Sequence, residues 1–308
     1  MSELSRLDLN ILDAVAQLHE TPKGAYNIRK NAAGISRRST ENIIIQPKQN
    51  KPGIDIIIRE NTKNESVHIP VIITETGVND LVYNDFYIGD NSDVLIVAGC
   101  GIHNSGGEKS EHDGIHIFHI GKNARVKYVE KHYAEGQGTG EKVLNPTTEI
   151  YMDKNSYCEM EMVQIKGVDS TIRETSAHLK AGAALIILER LMTHGKQSAR
   201  SNMVINLDEE DSSAQIISRS VAKDFSEQVF YPKAVGNSRC KAHVQCDSII
   251  MDQAKIRSIP EISANHRDAE IIHEAAIGRI NNDQLLKLQT LGLSENESEQ
   301  IIISCFLK

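Results

Sequence analysis

The sequence predicts a mainly β protein: a solenoid of stacked coils with a short helix at its front and a pair of helices at its end. Three observations carry this prediction. From Lys154 onward, polar or glycine-bearing turn groups recur near Lys154, Lys166, Lys180, Lys196, Glu209, Lys223, Asn237, Gln253 and His266, at short and nearly even steps with one strand-like run in each. Within those runs apolar residues stand side by side, as in AALIILERLM (183–192) and CDSIIMD (246–252), which suggests strands covered on more than one side. Asn-Gly and Asp-Gly hairpin turns are scarce, HDG at 112–114 being the one obvious case, so stacked coils fit better than a sandwich of hairpins.

The elements follow in order. Leu4, Leu7, Ile11, Val15 and Leu18 recur at steps of three and four, predicting an amphipathic helix over 3–20 that stops near Thr21, Pro22 and Gly24. β-Branched runs succeed it at 42–46, 54–60, 67–76 and 93–101, and the regular turns take over from Lys154. At the end, Asn281 with Gln284 and Ser294 with Glu297 read as N-caps with reciprocal partners, and Gly292 as a helix stop. Helices are therefore expected at about 282–291 and 295–306, with Leu285, Leu288, Ile301, Ile302 and Phe306 on their apolar faces. The chain divides into a helical segment at 1–40, a β core at 41–272 and a C-terminal segment at 273–308.

Composition narrows the function. With 308 residues, 40% of them hydrophobic, the chain can bury a sizeable core, and a formal net charge of -8 gives no general attraction to nucleic acid or anionic membranes. The first residues lack the apolar core of a signal peptide, and no apolar run approaches the ~18 residues of a membrane span, so the cytoplasm is the expected compartment. Five cysteines, at 100, 158, 240, 246 and 305, form an odd set that reads as free thiols or metal ligands.

The chemistry concentrates in the last quarter. Cys246 is the leading nucleophile or ligand, because a thiolate accepts sulfane sulfur and binds iron; a buried thiol beside Ile249 and Ile250 is the plain alternative. Cys240 shares its strand parity but lies ~20 Å away along an extended strand. His273 and Glu274, a borderline and a hard ligand, suit iron, yet as neighbours they point to opposite faces of a strand. Upstream, His112, His116 and His119 have the spacing of a zinc face on a helix, against which Gly114 and the β-rich composition argue. Cys100 and His103 sit in an apparent turn within reach of a metal. The loop EGQGTGEK (135–142) fails the P-loop pattern, and no nucleotide-hydrolysing or hydrolase motif is present.

Four strings, YNIRKNA (26–32), HDGIHIFHIGKNARVKYVEKHY (112–133), HVQCDSIIMD (243–252) and HEAAIGRINNDQLLKLQTLGLSENESEQIIISCFL (273–307), give the chain a resemblance to the SufB/SufD scaffold proteins of the SUF iron–sulfur cluster assembly system. The resemblance implies a right-handed parallel β-helix. It implies that Cys246 is the sulfur acceptor and a cluster ligand and that His273 and Glu274 complete the site and bind iron; Cys240 and Cys100 stand beside them as supporting cofactor-binding candidates on residue type alone. Because one chain carries groups that SufB and SufD divide between them, it implies a homodimer with Cys246 of one subunit near His273 of the other.

The same resemblance assigns the segment after Ile280 to docking a SufC-type ATPase in a two-to-two complex. The protein itself is then a scaffold rather than an enzyme, passing a nascent cluster from sulfur and iron donors to apo-proteins. A purely structural regulator of the ATPase and a zinc enzyme are the competing classes. The chain is shorter than typical SufB and has no N-terminal cysteine-rich motif, so no cluster is expected there. The family's association with reduced flavin attaches to no residue of this sequence.

Overall fold

The computed structural model describes residues 4–18 and 22–308. Helix α1 (Arg6–Ala16) opens with a capping box in which Ser5 and Asp8 bond each other's backbone amides. Residue 3 and residues 19–21, at the ends of the helix expected over 3–20, lie outside the described residues. Strands β1 (Ala25–Lys30), β2 (Ala33–Arg38), β3 (Ile43–Pro47), β4 (Gly53–Ile58), β5 (Lys63–Ile73), β6 (Asn79–Ile88), β7 (Asp93–His103), β8 (Ser110–Ile120), β9 (Arg125–Glu135), β10 (Lys142–Leu144) and β11 (Thr147–Met152) follow. The second half holds β12 (Tyr157–Lys166), β13 (Ser170–Leu179), β14 (Ala184–Thr193), β15 (Ser198–Leu207), β16 (Ser213–Ala222), β17 (Glu227–Gly236), β18 (Cys240–Ile250), β19 (Lys255–Ser258), β20 (Glu261–Ala264) and β21 (Ala269–Gly278). Helices α2 (Asn282–Thr290) and α3 (Glu295–Phe306) close the chain.

These strands fall into two sheets, in the orders β2-β1-β5-β7-β9-β12-β14-β16-β18-β21 and β19-β17-β15-β13-β10-β8-β6-β4-β3, with β11 in the second sheet beside β8 and β13 and β20 beside β17. The result is a β-solenoid of about eight turns. Pairing is parallel except at the front, where β1–β2 and β3–β4 are antiparallel. From β12 on, successive coils are almost constant in length, so that Ser218, Cys246 and Ala275 stand in register on three coils in a row. The turns repeat a left-handed residue, which is Asn at 61, 91, 123 and 155 and Asp at 211, 224 and 252, side chains that tolerate positive φ by bonding locally.

Two boundaries differ from expectation. β1 and β2 fall inside the segment expected to be helical (1–40), because the polar string from Tyr26 to Arg38 has no apolar period to reveal a strand pair. The strand carrying His273 and Glu274 runs on to Gly278, so the terminal helices begin at Asn282. HDG at 112–114 is no hairpin turn but the middle of β8, where the glycine occupies an inward position.

The adjacent apolar residues of β14 split as a period of two requires: Leu185 and Ile187 face the core, Ile186 and Leu188 the half-buried outside. At the far end the outer face is indeed covered, since Ile303 of α3 and Leu307 just beyond its end pack with Val221, Met192, Ile249 and Met251. α3 has the expected capping box of Ser294 and Glu297, whereas Asn281 accepts from the Asp283 amide, one residue earlier than expected. α1 packs on the outside of the first sheet, where a methyl on Gly101 would collide with Ile11 Cγ2. No helix among the described residues is long and apolar enough to cross a membrane.

The interior has an apolar half and a polar half. Beginnings of strands in the first sheet and ends of strands in the second contribute Val94, Val126, Leu185, Phe86, Phe118 and Ile205. The opposite half lines up Asp80, Asn84, His112, His116, Glu130, His132, Arg173, Glu189, Ser201 and Ser218, all buried. Such a stripe costs stability unless its members bond one another. Most of them find partners: Arg29 pairs with Asp80 (2.7 Å), His116 Nδ1 with Tyr128 (2.8 Å), Arg173 with Glu130 (2.5 Å), and Ser201 and Ser218 donate to Glu189 (2.7 and 3.0 Å).

Candidate functional site

The polar stripe leads to Cys246. β18 buries Cys240, Ala242, Val244 and Cys246 inside the solenoid and turns Lys241, His243, Gln245 and Asp247 outward. On the next coil β21 sets His273 opposite Val244 and Ala275 opposite Cys246, so His273 also faces inward. Its ring leans along the strand and places Nε2 3.3 Å from Cys246 Sγ. The expectation of Cys246 in one subunit meeting His273 in another is thereby corrected. One chain makes this pair, because the stretch of sequence between the two residues is close to one full coil and sets them on adjacent strands.

Burial raises the Cys246 thiol to about 11, the Ser258 hydroxyl opposing the shift and the charges of Glu189 and Asp247 adding to it. Burial lowers His273, helped by His243. The resting pair is thus a neutral thiol 3.3 Å from a neutral imidazole, and the tautomer protonated on Nδ1 leaves Nε2 positioned to receive the thiol proton.

Glu274 points the other way, exposed, with Oε2 3.5 Å from His243 Nε2. The predicted opposition of His273 and Glu274 across the strand therefore holds, and within one chain Glu274 does not meet Cys246. Cys240 is buried six residues earlier, ~20 Å along the strand, beneath Gly236. Cys100 lies on β7, five strands from β18 in the same sheet, roughly 24 Å at ~4.8 Å per strand. Neither thiol joins the pair. Among the described residues no group of three or more His, Cys, Asp or Glu side chains is already arranged to hold a metal ion.

The three-histidine zinc face is not formed. All three residues lie on strand β8, where His112 and His116 point inward while His119 points outward, stacked between Tyr87 and Tyr151. Cys100 and His103, three apart on β7, likewise face opposite sides, with His103 Nδ1 3.4 Å from Glu135. The glycines at 136, 138 and 140 in the 135–142 loop lie hard against the backbone of Asn104, Gly106 and Glu108 one coil earlier, so the loop is a stacked connection and not a phosphate cradle.

The family model for "SUF system FeS cluster assembly, SufBD core domain" matches residues 86–306. The chain belongs to the SufBD family. It is similar to an iron–sulfur cluster assembly SufBD family protein of Methanocaldococcus jannaschii, 28% identical over 96% of both chains. A SufBD family protein of Pyrococcus horikoshii is 26% identical over 87% of this chain and 82% of its own. SufBD membership gives the chain a role in iron–sulfur cluster assembly.

Reading the sequence did not find Glu189, Ser218 or Ser258, the polar neighbours of Cys246 in this SufBD chain. A signal existed. Glu189, Ser218 and Cys246 follow one another at intervals of one coil each, and all three share inward parity.

Proposed function

We propose that this chain is the scaffold on which a nascent iron–sulfur cluster is built, with Cys246 as the sulfur acceptor. The observation that carries this reading is the Cys246–His273 pair, a thiol held neutral by burial and 3.3 Å from a nitrogen able to take its proton. In the sulfur step the proton passes to His273 Nε2 and the thiolate attacks the terminal sulfur of a donor persulfide, R–S–SH. One S–S bond forms as another breaks: Cys246 becomes Cys246–S–SH, and the departing donor thiolate takes the proton from His273 to leave as R–SH. No external oxidant is needed.

Iron, the other part of the cargo, binds to sulfur on Cys246 with His273 as nitrogen ligand. Glu274 comes from a second copy. Support for that pairing is the open end of the solenoid, where β21 is the last strand of its sheet and exposes Ile272 and Ile277 beside an unpaired backbone edge. Two such ends meeting about a twofold axis bring two Cys246–His273 pairs under cover. Cys240 and Cys100 have no part in the site.

The partner supplying energy is a SufC-type ATPase docked on the terminal helices, in a two-to-two complex in the cytoplasm. What supports this is α2, which buries none of its residues and leaves Leu286 exposed, with Leu291 exposed just beyond its end. Anaerobic co-purification with the ATPase, followed by iron, acid-labile sulfide and visible absorbance, tests the scheme. Wild type acquires both elements and Cys246→Ser does not. Normal acquisition by Cys246→Ser defeats the scaffold reading, and a wild type that stimulates the ATPase yet never holds iron or sulfide is a regulator instead.

A further inference from the structure

A second cluster of ligand-type side chains lies inside the solenoid, in the coils of β6 to β9, and the sulfur chemistry above makes no use of it. On β8 the inward positions are His112, Gly114 and His116. Residues four apart on a strand are separated by ~13 Å at their Cα atoms, so their side chains normally have a third one between them. Here the middle position is empty, and both rings lean over it. A methyl on Gly114 would stand 3.3 Å from His112 Nε2 and 3.2 Å from His116 Nε2.

The other ring nitrogens are engaged elsewhere. His112 Nδ1 lies 3.2 Å from Asp80 Oδ2, and His116 Nδ1 lies 2.8 Å from the Tyr128 hydroxyl. These partners fix the ring orientations and turn the Nε2 edges to a shared cavity of about 10 Å³, room for a single water-sized body. Its walls also include Cys100, His132, Glu130 and Asn84. His132 Nδ1 is buried without a hydrogen-bond partner, and a buried unpaired nitrogen is costly unless something fills its coordination.

We propose that this cavity is a second binding site, taking one divalent transition-metal ion of the Fe2+, Co2+ and Zn2+ class between His112 and His116. The chemistry of the donors sets that class: imidazole nitrogen and thiol sulfur select borderline ions over Mg2+ and Ca2+, which require oxygen. An outer partner on the far nitrogen of each histidine is the arrangement that orients metal-binding imidazoles. The nearby carboxylates are otherwise committed, Asp80 to Arg29 at 2.7 Å and Glu130 to Arg173 at 2.5 Å. Because no three such groups already meet at bonding distance among the described residues, His112 and His116 are the fixed pair and Cys100 or His132 swings in as the ion enters.

The site is independent of Cys246, and the experiment keeps the two apart. The whole chain carrying Cys246→Ser is purified anaerobically and titrated with Co2+ alone, following its ligand-field absorbance and stoichiometry. One equivalent is expected to bind. Adding Gly114→Ala, which keeps every ligand but places a methyl between the two nitrogens, weakens binding at least about tenfold, and His112→Gln with His116→Gln does the same. Far-UV circular dichroism verifies that each variant is folded. Failure of the Cys246→Ser chain to bind Co2+, or undiminished binding by folded Gly114→Ala, overturns the proposal. Should the variants not fold, cobalt-edge X-ray absorption on the Cys246→Ser protein decides: two or more imidazole scatterers support the site, and an all-oxygen shell refutes it. Since Cys246 is absent throughout, failure of the scaffold reading would leave this result standing.

Discussion

At Cys246 the same burial that hides the thiol from solvent also opposes its ionisation, raising it to about 11. Reactivity there depends on a base within reach, and in the proposed sulfur step His273 Nε2, 3.3 Å from the sulfur, takes that part. A small uncharged alkylating reagent should therefore label Cys246 slowly at neutral pH, with a rate that climbs as pH rises toward about 11. Peptide mapping by mass spectrometry reads the rate at this cysteine alone. A profile that levels off below about pH 9, the range of an ordinary free thiol, would mean the thiol is not held neutral by its surroundings. At this scale the sequence was readable for identity but not for company: Cys246 and His273 stood out as chemical types, while their contact depended on the coil length.

Among the elements, α1 shows how a helix is seated on a sheet. Its apolar side, Ile11, Leu12 and Val15, is fully buried, and Ile11 sits where Gly101 leaves room on β7. Gly101→Val would drive side-chain atoms into Ile11 and displace the helix, costing about 1–3 kcal/mol. A urea unfolding curve measures the loss; a variant as stable as wild type would show that α1 is not held at this point. The helices were legible locally, because caps such as Ser5 and Ser294 and the apolar spacing belong to one short segment each. β1 and β2 were not, since polar strands at the front of the stack get their pairing from neighbours rather than from a pattern of their own.

For the whole molecule, the polar stripe makes stability depend on pH. Burial lowers His116 and His132 to about 4, so both are neutral in the folded state, whereas the unfolded chain protonates them near 6.5. As pH falls from about 6.5 through about 4 the unfolded state binds more protons, and stability is lost over that window. Glu130 adds to the loss below about 4.5: burial opposes its ionisation, but the Arg173 guanidinium together with His132 and His116 outweighs burial and holds its carboxyl well below the usual range. Denaturation midpoints measured from neutral pH down to about pH 4 should fall steadily, and less steeply for His116→Gln with His132→Gln. A wild type whose midpoint is flat across this window would contradict the assignment.

Read alone, the sequence determined what local chemistry can encode: the strand-and-turn rhythm after Lys154, the capped terminal helices, the opposite facing of His273 and Glu274, and the shared strand parity of Cys240 and Cys246. The tertiary structure decided what depends on register between coils. Parity says that a side chain points inward but not which residue a coil away it will meet. That is why HDG looked like a turn, why Cys246 and His273 were assigned to different subunits, and why the row from Asp80 to Ser218 stayed invisible. Backbone hydrogen bonding between coils of nearly constant length sets those neighbours, and it is a long-range property of the folded stack.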